Sequence, residues 1–161
     1  MASAPDDRWS RATSGDFGAL REIVFRMAYG FTLDYARAED VAQEALTKIW
    51  LRSPNWKSIE NPKAWIARVV LNASRTEWRK WGRAEVVPDE GRNSEHLDEL
   101  IMLRMGLQKI PRRDRQLVLI LGVCGASYAE AATILRMNEG AVPSAFARAK
   151  DKLRKAMGET S

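Results

Sequence analysis

The feature that most limits what this chain can fold into is a pair of neighbouring segments whose apolar residues recur every three or four positions while their charges are opposite in sign. The first, AEDVAQEALTKIW, runs from Ala38 to Trp50 and places Val41, Ala42, Ala45, Leu46 and Ile49 on one stripe of a helix. The second, PKAWIARVVLNASRTEWRKWGR, runs from Pro62 to Arg83 and does the same with Ile66, Val69, Val70 and Ala73. Phe17, Leu20, Val24 and Met27 mark an earlier helix, and no sustained apolar-polar alternation argues for a strand. The predicted fold class is all-α.

Charge divides the chain into blocks. Residues 1–84 carry a net charge of +4, residues 85–100 of −5 and residues 101–161 of +6, within a formal total of +5. The acidic stretch AEVVPDEGRNSEHLDEL also holds a proline, a glycine and the polar run RNS, a linker composition. All six tryptophans lie at or before Trp81, so the flanking blocks differ in kind. The pattern predicts two small helical domains, residues 1–84 and 98–161, joined by a flexible acidic linker over 85–97. In the second block Leu100, Leu103 and Leu107 mark a helix that stops before Pro111, and Leu117, Val118, Ile120 and Leu121 mark another that ends near Gly122 and Gly125. Ser127 can cap a third and Asn138 a fourth. Two helices joined around Met137 and Asn138, the second rich in Arg and Lys, make a helix-turn-helix pattern.

The chain offers little material for catalysis. It has one histidine, His96, and one cysteine, Cys124, which lies in the apolar run LVLILGVCGA and reads as a buried small hydrophobe. No His/Cys cluster has metal-ligand spacing, no glycine-rich phosphate loop follows a strand, and no nucleophile has an evident histidine base. A non-enzyme without metal or cofactor is expected. No stretch reaches the apolar length of a membrane span, and MASAPDDRWSRATSGD has acids where a signal peptide needs a hydrophobic run, so a cytoplasmic protein without membrane insertion is expected.

At 100° per residue, Asp40, Gln43, Glu44 and Thr47 fall opposite the apolar stripe of the acidic helix. Periodicity alone favours a solvated face, with acids near the helix N-terminus complementing the macrodipole; a protein-docking face is the sharper alternative. On the basic helix Arg68, Asn72, Arg75 and Arg79 form one stripe, with Lys63 and Lys80 near its two ends. Guanidinium groups at helical turns can neutralise successive phosphates, and an asparagine among them can bond a base edge. Trp65, Trp78 and Trp81 supply flat faces on which unstacked bases can stack, although any one of them taken alone reads more simply as packing.

These residues together resemble the extracytoplasmic-function group of bacterial sigma factors, small two-domain members of the sigma-70 family, over roughly Gly15 to Met157. AEDVAQEALTKIW resembles the helix that binds the β′ clamp coiled coil of RNA polymerase, and PKAWIARVVLNASRTEWRK the helix that melts and reads the −10 element. The segment LQKIPRRDRQLVLILGVCGASYAEAATILRMNEGAVPSAFARAKDKLRK resembles the C-terminal domain that reads the −35 element. The resemblance implies a sigma region 2-like domain over 1–84 and a sigma region 4-like domain over 98–161. It places Asp40, Gln43, Glu44 and Thr47 against polymerase, and Lys63, Trp65, Arg68, Asn72, Arg75, Arg79 and Lys80 on melted DNA. The loop from Arg52 to Asn61 falls where the family forms a pocket for a flipped base, and the linker would thread through polymerase. Ser144, Arg148 and Lys152 would bind the upstream element. Core polymerase through its β′ clamp helices and β flap, promoter DNA and an anti-sigma factor are the implied partners.

The chain departs from the family pattern at Arg136, where the turn usually has glycine, at Pro143 and Ala145, which replace basic residues, and at Thr76, where many relatives carry aspartate. With Asn138 as the cap, Pro143 is expected to oppose the carbonyl of Glu139 at a cost of ~3 kcal/mol. The function expected is a sigma factor that directs promoter-specific initiation. The alternative is a sigma-like interaction protein with degenerate upstream recognition. An ordinary helix-turn-helix repressor would account for the C-terminal block alone and leave the acidic and tryptophan-rich helices unexplained.

Overall fold

The computed structural model describes residues 5–52, 58–81, 102 and 104–158, and the chain divides into two compact units, Met1–Glu85 and Val86–Ser161. The expected linker over 85–97 and residues 53–57 of the expected base-pocket loop lie outside the described residues. No strand occurs among the described residues.

The N-terminal unit contains α1 (Pro5–Thr13), α2 (Phe17–Thr32), α3 (Tyr35–Arg52) and α4 (Pro62–Trp81). Each of the last three begins where a short polar side chain meets an unpaired backbone donor. Asp16 accepts from the Ala19 amide at 3.1 Å, Asp34 from the Arg37 amide at 3.1 Å, and Asn61 from the Ala64 amide at 3.3 Å. Pro62 follows Asn61 at the first helical position, where its missing N–H would have had no partner in the helix. The α2–α3 junction is tight because Leu33 adopts φ 58°, a left-handed conformation held by the burial of its side chain to 2 % exposure and by its amide donating to the Tyr29 carbonyl at 2.7 Å. The apolar stripes read from the sequence meet in one core: Leu20, Val24 and Met27 from α2, Val41, Ala45 and Ile49 from α3, and Ile66, Val70 and Ala73 from α4 are buried. Phe17 departs from its stripe and stays 45 % exposed.

In the C-terminal unit, residues 104–107 are helical and lead to α5 (Arg112–Leu117), which continues as a π-helical turn, Val118–Val123. Next come α6 (Tyr128–Leu135), a 3₁₀ turn (Glu139–Ala141) and α7 (Val142–Ala156). Leu107, Leu117, Ile120, Leu135, Val142 and Ala149 are all but inaccessible and form its core. Gly106 permits a close approach, since a Cβ there would stand 2.9 Å from Met157 Cγ. Ser127 caps α6 as expected, in a reciprocal box with Glu130.

The expected penalty at Pro143 is corrected by the geometry. Asn138 accepts from the Gly140 amide and caps the 3₁₀ turn, and α7 starts only at Val142. Pro143 therefore occupies the first turn of α7, where a missing amide and a fixed φ are tolerated. Arg136 does adopt the left-handed conformation, at φ 57°, at a cost of about 1 kcal/mol relative to glycine.

Candidate functional site

In the N-terminal unit α3 is buried along Ala38, Val41, Ala45 and Ile49, and this burial turns the opposite side outward. Asp40, Gln43 and Thr47 are exposed and Glu44 is half-buried. Lys48 Nζ lies 3.3 Å from Glu44 Oε1, an exposed pair whose energetic value is small, so the face keeps its acidic character. The four residues share an open cleft with Glu77 and Lys80 near the C-terminal end of α4, which places acid-rich and basic surfaces side by side. Glu77 is buried and Lys80 Nζ stands 3.8 Å from its carboxylate.

A feature that the charge pattern did not single out adjoins this face. Between α2 and α3 runs an open groove lined in part by Phe17, Phe25, Tyr35, Leu46 and Trp50, and it also takes in Gln43 and Thr47. Trp50 is 61 % exposed and meets Phe17 edge-on, with ring centroids 5.7 Å apart. Two exposed aromatic rings in contact beside a polar face have the make-up of a protein interface centre with its rim. The signal was present in the spacing, since Trp50 follows Gln43 by seven residues and so lies two turns along the same side.

On α4 the two stripes separate as the wheel requires. Ile66, Val70 and Ala73 are buried and Val69 is half-buried, whereas Arg68, Asn72 and Arg79 are exposed and Arg75 is half-buried. Arg75 Nη1 donates to Asn72 Oδ1 at 3.3 Å, which orients the amide and leaves its NH₂ group as the outward donor. Trp65 and Trp78 are half-buried, so each combines packing with a part-open ring. Lys63 Nζ lies 5.7 Å from the centre of the buried Trp9 ring and ties α1 to the start of α4. Trp81 ends α4.

In the C-terminal unit Val142 and Ala149 bury one side of α7, and Pro143, Ser144, Ala147 and Arg148 are exposed on the other. Several lysines of this helix are drawn to protein groups: Lys150 Nζ stands 4.4 Å over the Phe146 ring, Lys155 pairs with Asp151 at 3.1 Å, and Lys152 pairs with Asp114 at 3.1 Å. Ser144 and Arg148 thus share an outward face, while Lys152 is turned toward α5. On α5, burial and secondarily the charge of Arg112 lower the pKa of the Arg115 guanidinium.

Two family matches cover most of the chain: Sigma-70 region 2 over residues 17–84 and Sigma-70, region 4 over residues 100–153. The chain belongs to the sigma-70 family, in its extracytoplasmic-function group. Among curated relatives, the ECF RNA polymerase sigma factor EcfG of Rhodopseudomonas palustris (strain TIE-1) is 29 % identical over 126 residues, covering 73 % of this chain and 69 % of that one. The ECF RNA polymerase sigma factor SigF of Caulobacter vibrioides is 27 % identical, covering 91 % and 90 %. Two solved structures share the fold. The sigma factor RpoE in complex with the anti-sigma factor NepR from Bartonella quintana aligns with a TM-score of 0.66 at 21 % identity, over 92 % of this chain and 98 % of that one. CnrH in complex with the cytosolic domain of CnrY aligns with a TM-score of 0.59 at 23 % identity, over 99 % and 100 %. In this sigma factor the acidic face, the aromatic groove and α4 all fall within the region 2 match, and the helix-turn-helix of α6 and α7 within region 4.

Proposed function

We propose that this sigma factor is the promoter-specificity subunit of RNA polymerase, docking on the core enzyme through α3, opening DNA along α4 and holding upstream duplex DNA with α7. The observation that carries the docking assignment is the convergence of Asp40, Gln43, Glu44 and Thr47 on one outward face that continues into the Phe17–Trp50 groove. A basic helical pair such as the β′ clamp would meet complementary charge at the face and apolar contact in the groove. On α4, Arg68, Arg75, Arg79 and Lys80 supply phosphate contacts, Asn72 a base-edge donor, and Trp65 with Lys63 the start of the path. Ser144 and Arg148 supply the upstream contacts. In this reading residues 1–84 serve core binding and the −10 element, 98–161 the −35 element and the β flap, and 85–97 connect them. Binding energy performs the whole function, with no covalent step.

The sigma factor RpoE from Bartonella quintana is in complex with the anti-sigma factor NepR and CnrH with the cytosolic domain of CnrY, and this chain is proposed to have an anti-sigma partner as well. Its site of action is proposed to be cytoplasmic, where transcription takes place; among the described residues no helix is long and apolar enough to cross a membrane.

Charge reversal by Asp40→Lys with Glu44→Lys tests the docking face. Like charge against a basic partner costs several kcal/mol at close contact, so core-polymerase binding should weaken by about tenfold or more. Helicity should hold, because exposed substitutions seldom unfold a domain. Undiminished binding of core polymerase by a folded double variant defeats the assignment. Specific initiation in run-off transcription separates the proposal from a sigma-like interaction protein, which binds polymerase without selecting promoters.

A further inference from the structure

Lys152 and Arg113 have a part in the C-terminal unit that their charge alone does not suggest. Asp114, in the first turn of α5, is buried, its side chain 12 % exposed, and its carboxylate accepts from Lys152 Nζ at 3.1 Å. The neighbouring Arg113 sends Nη1 to the Leu135 carbonyl at 2.9 Å, at the last residue of α6. Lys109, just before α5, reaches the Ala156 carbonyl at the end of α7 at 3.3 Å. Adjacent residues of one short helix therefore grip both arms of the helix-turn-helix, Arg113 holding the end of α6 and Asp114 holding α7.

The grip falls where the motif is least self-supporting. α6 has eight residues and is closed by the left-handed Arg136; the amides of Arg136 and Met137 both donate to the Ala132 carbonyl, and the Leu135 carbonyl takes its donor from Arg113. The outward side chains of the first half of α7 are Pro143, Ser144, Ala147 and Arg148, and three of these are too short to compensate for a tilted helix. Which groove atoms they meet is then decided by where the helix axis lies, and contacts of this kind need placement to about half an ångström.

We propose that Arg113 and Lys152 are positioning residues that fix the angle between α6 and α7 for sequence reading, and that Lys152 does so by its pairing with Asp114 rather than by binding phosphate. The inference rests on the proposed upstream-DNA role of this unit. It predicts that loosening either tie lowers the preference for the correct upstream element while leaving non-specific, salt-dependent attraction intact.

The test uses the full chain with core polymerase on a promoter duplex and on the same duplex with a scrambled upstream element, each titrated over salt. Arg113→Met and Lys152→Met should each reduce the ratio of the two affinities about tenfold, the scale of losing one good base contact. Arg113→Lys and Lys152→Arg should restore most of it. The salt slope should stay within experimental error of the parent. A slope flattened by about 0.9 in Lys152→Met, with both duplexes weakened equally, would mean a phosphate contact and overturn the proposal. Thermal destabilisation with an unchanged affinity ratio would overturn it too, as a purely structural role. Arg113→Met lies at an exposed position and carries the test by itself if Lys152→Met loses helicity. Failure of the parent chain to protect the upstream element in footprinting defeats the upstream-DNA reading and this inference together, whereas protection with unaltered preference in the variants defeats this inference alone.

Discussion

Helices α4 and α7 are both amphipathic, both carry a proline in the first turn and both turn arginine outward, yet they present different surfaces. In α4 the outward stripe of Arg68, Asn72, Arg75 and Arg79 runs over three turns on a helix whose opposite side buries Ile66, Val70 and Ala73. α7 is comparably rich in cations, but Lys152 is paired with Asp114 of α5, while Lys150 and Lys155 stay exposed and meet Phe146 and Asp151 one turn away on α7 itself. The number of positive residues on a helix is thus an incomplete measure of its nucleic-acid face. A cation drawn to another helix, as Lys152 is, no longer counts as one free to meet phosphate.

The largest expected effect tests α4. Arg68→Ala with Arg79→Ala should flatten the salt dependence of open-complex formation by about 0.7 for each charge removed from single-stranded contacts, with strand opening lost at promoters across the set. Permanganate reactivity of the melted element reads the outcome. Normal opening in the double variant would remove the contrast between the helices.

A smaller effect is expected at the turn that launches α7. Arg136→Gly relieves the left-handed residue and should stabilise the C-terminal unit by about 0.5–1 kcal/mol, partly offset by the greater freedom of glycine in the unfolded chain. Thermal unfolding followed by circular dichroism checks it. A loss of stability would show that the Arg136 side chain makes a contact worth more than the backbone strain.

The smallest effect is the most diagnostic for where α7 begins. Pro143→Ala should alter stability by less than about 0.5 kcal/mol, because a first-turn proline forgoes no helical hydrogen bond. A gain near 3 kcal/mol would place Pro143 inside the helix and return α7 to the start expected from Asn138.

Much of this was legible in the sequence because helical periodicity is local. The stripes of α2, α3 and α4, the cap at Ser127 and the outward sets on α3 and α4 depend on residues within a turn or two of one another, and both the helix-turn-helix and the family followed from them. The Phe17–Trp50 groove was legible only in part: spacing puts Trp50 on the side of Gln43, but its contact with Phe17 joins two different helices, and two such aromatic residues read as core until a third surface fails to cover them. The start of α7 could not be read either: Asn138 is a good cap in any sequence, and only the inserted 3₁₀ turn shows that it caps Gly140 while α7 waits for Val142. Lys152 is the clearest case. As a residue type it is a phosphate ligand, and its partner Asp114 lies 38 positions away, a separation at which sequence carries no register. The sequence by itself determined the helices, their faces and the family, since those rest on spacing along one chain. Tertiary structure alone decided which charges are paired across helices, as Lys152 is with Asp114, because that depends on which helix packs against which.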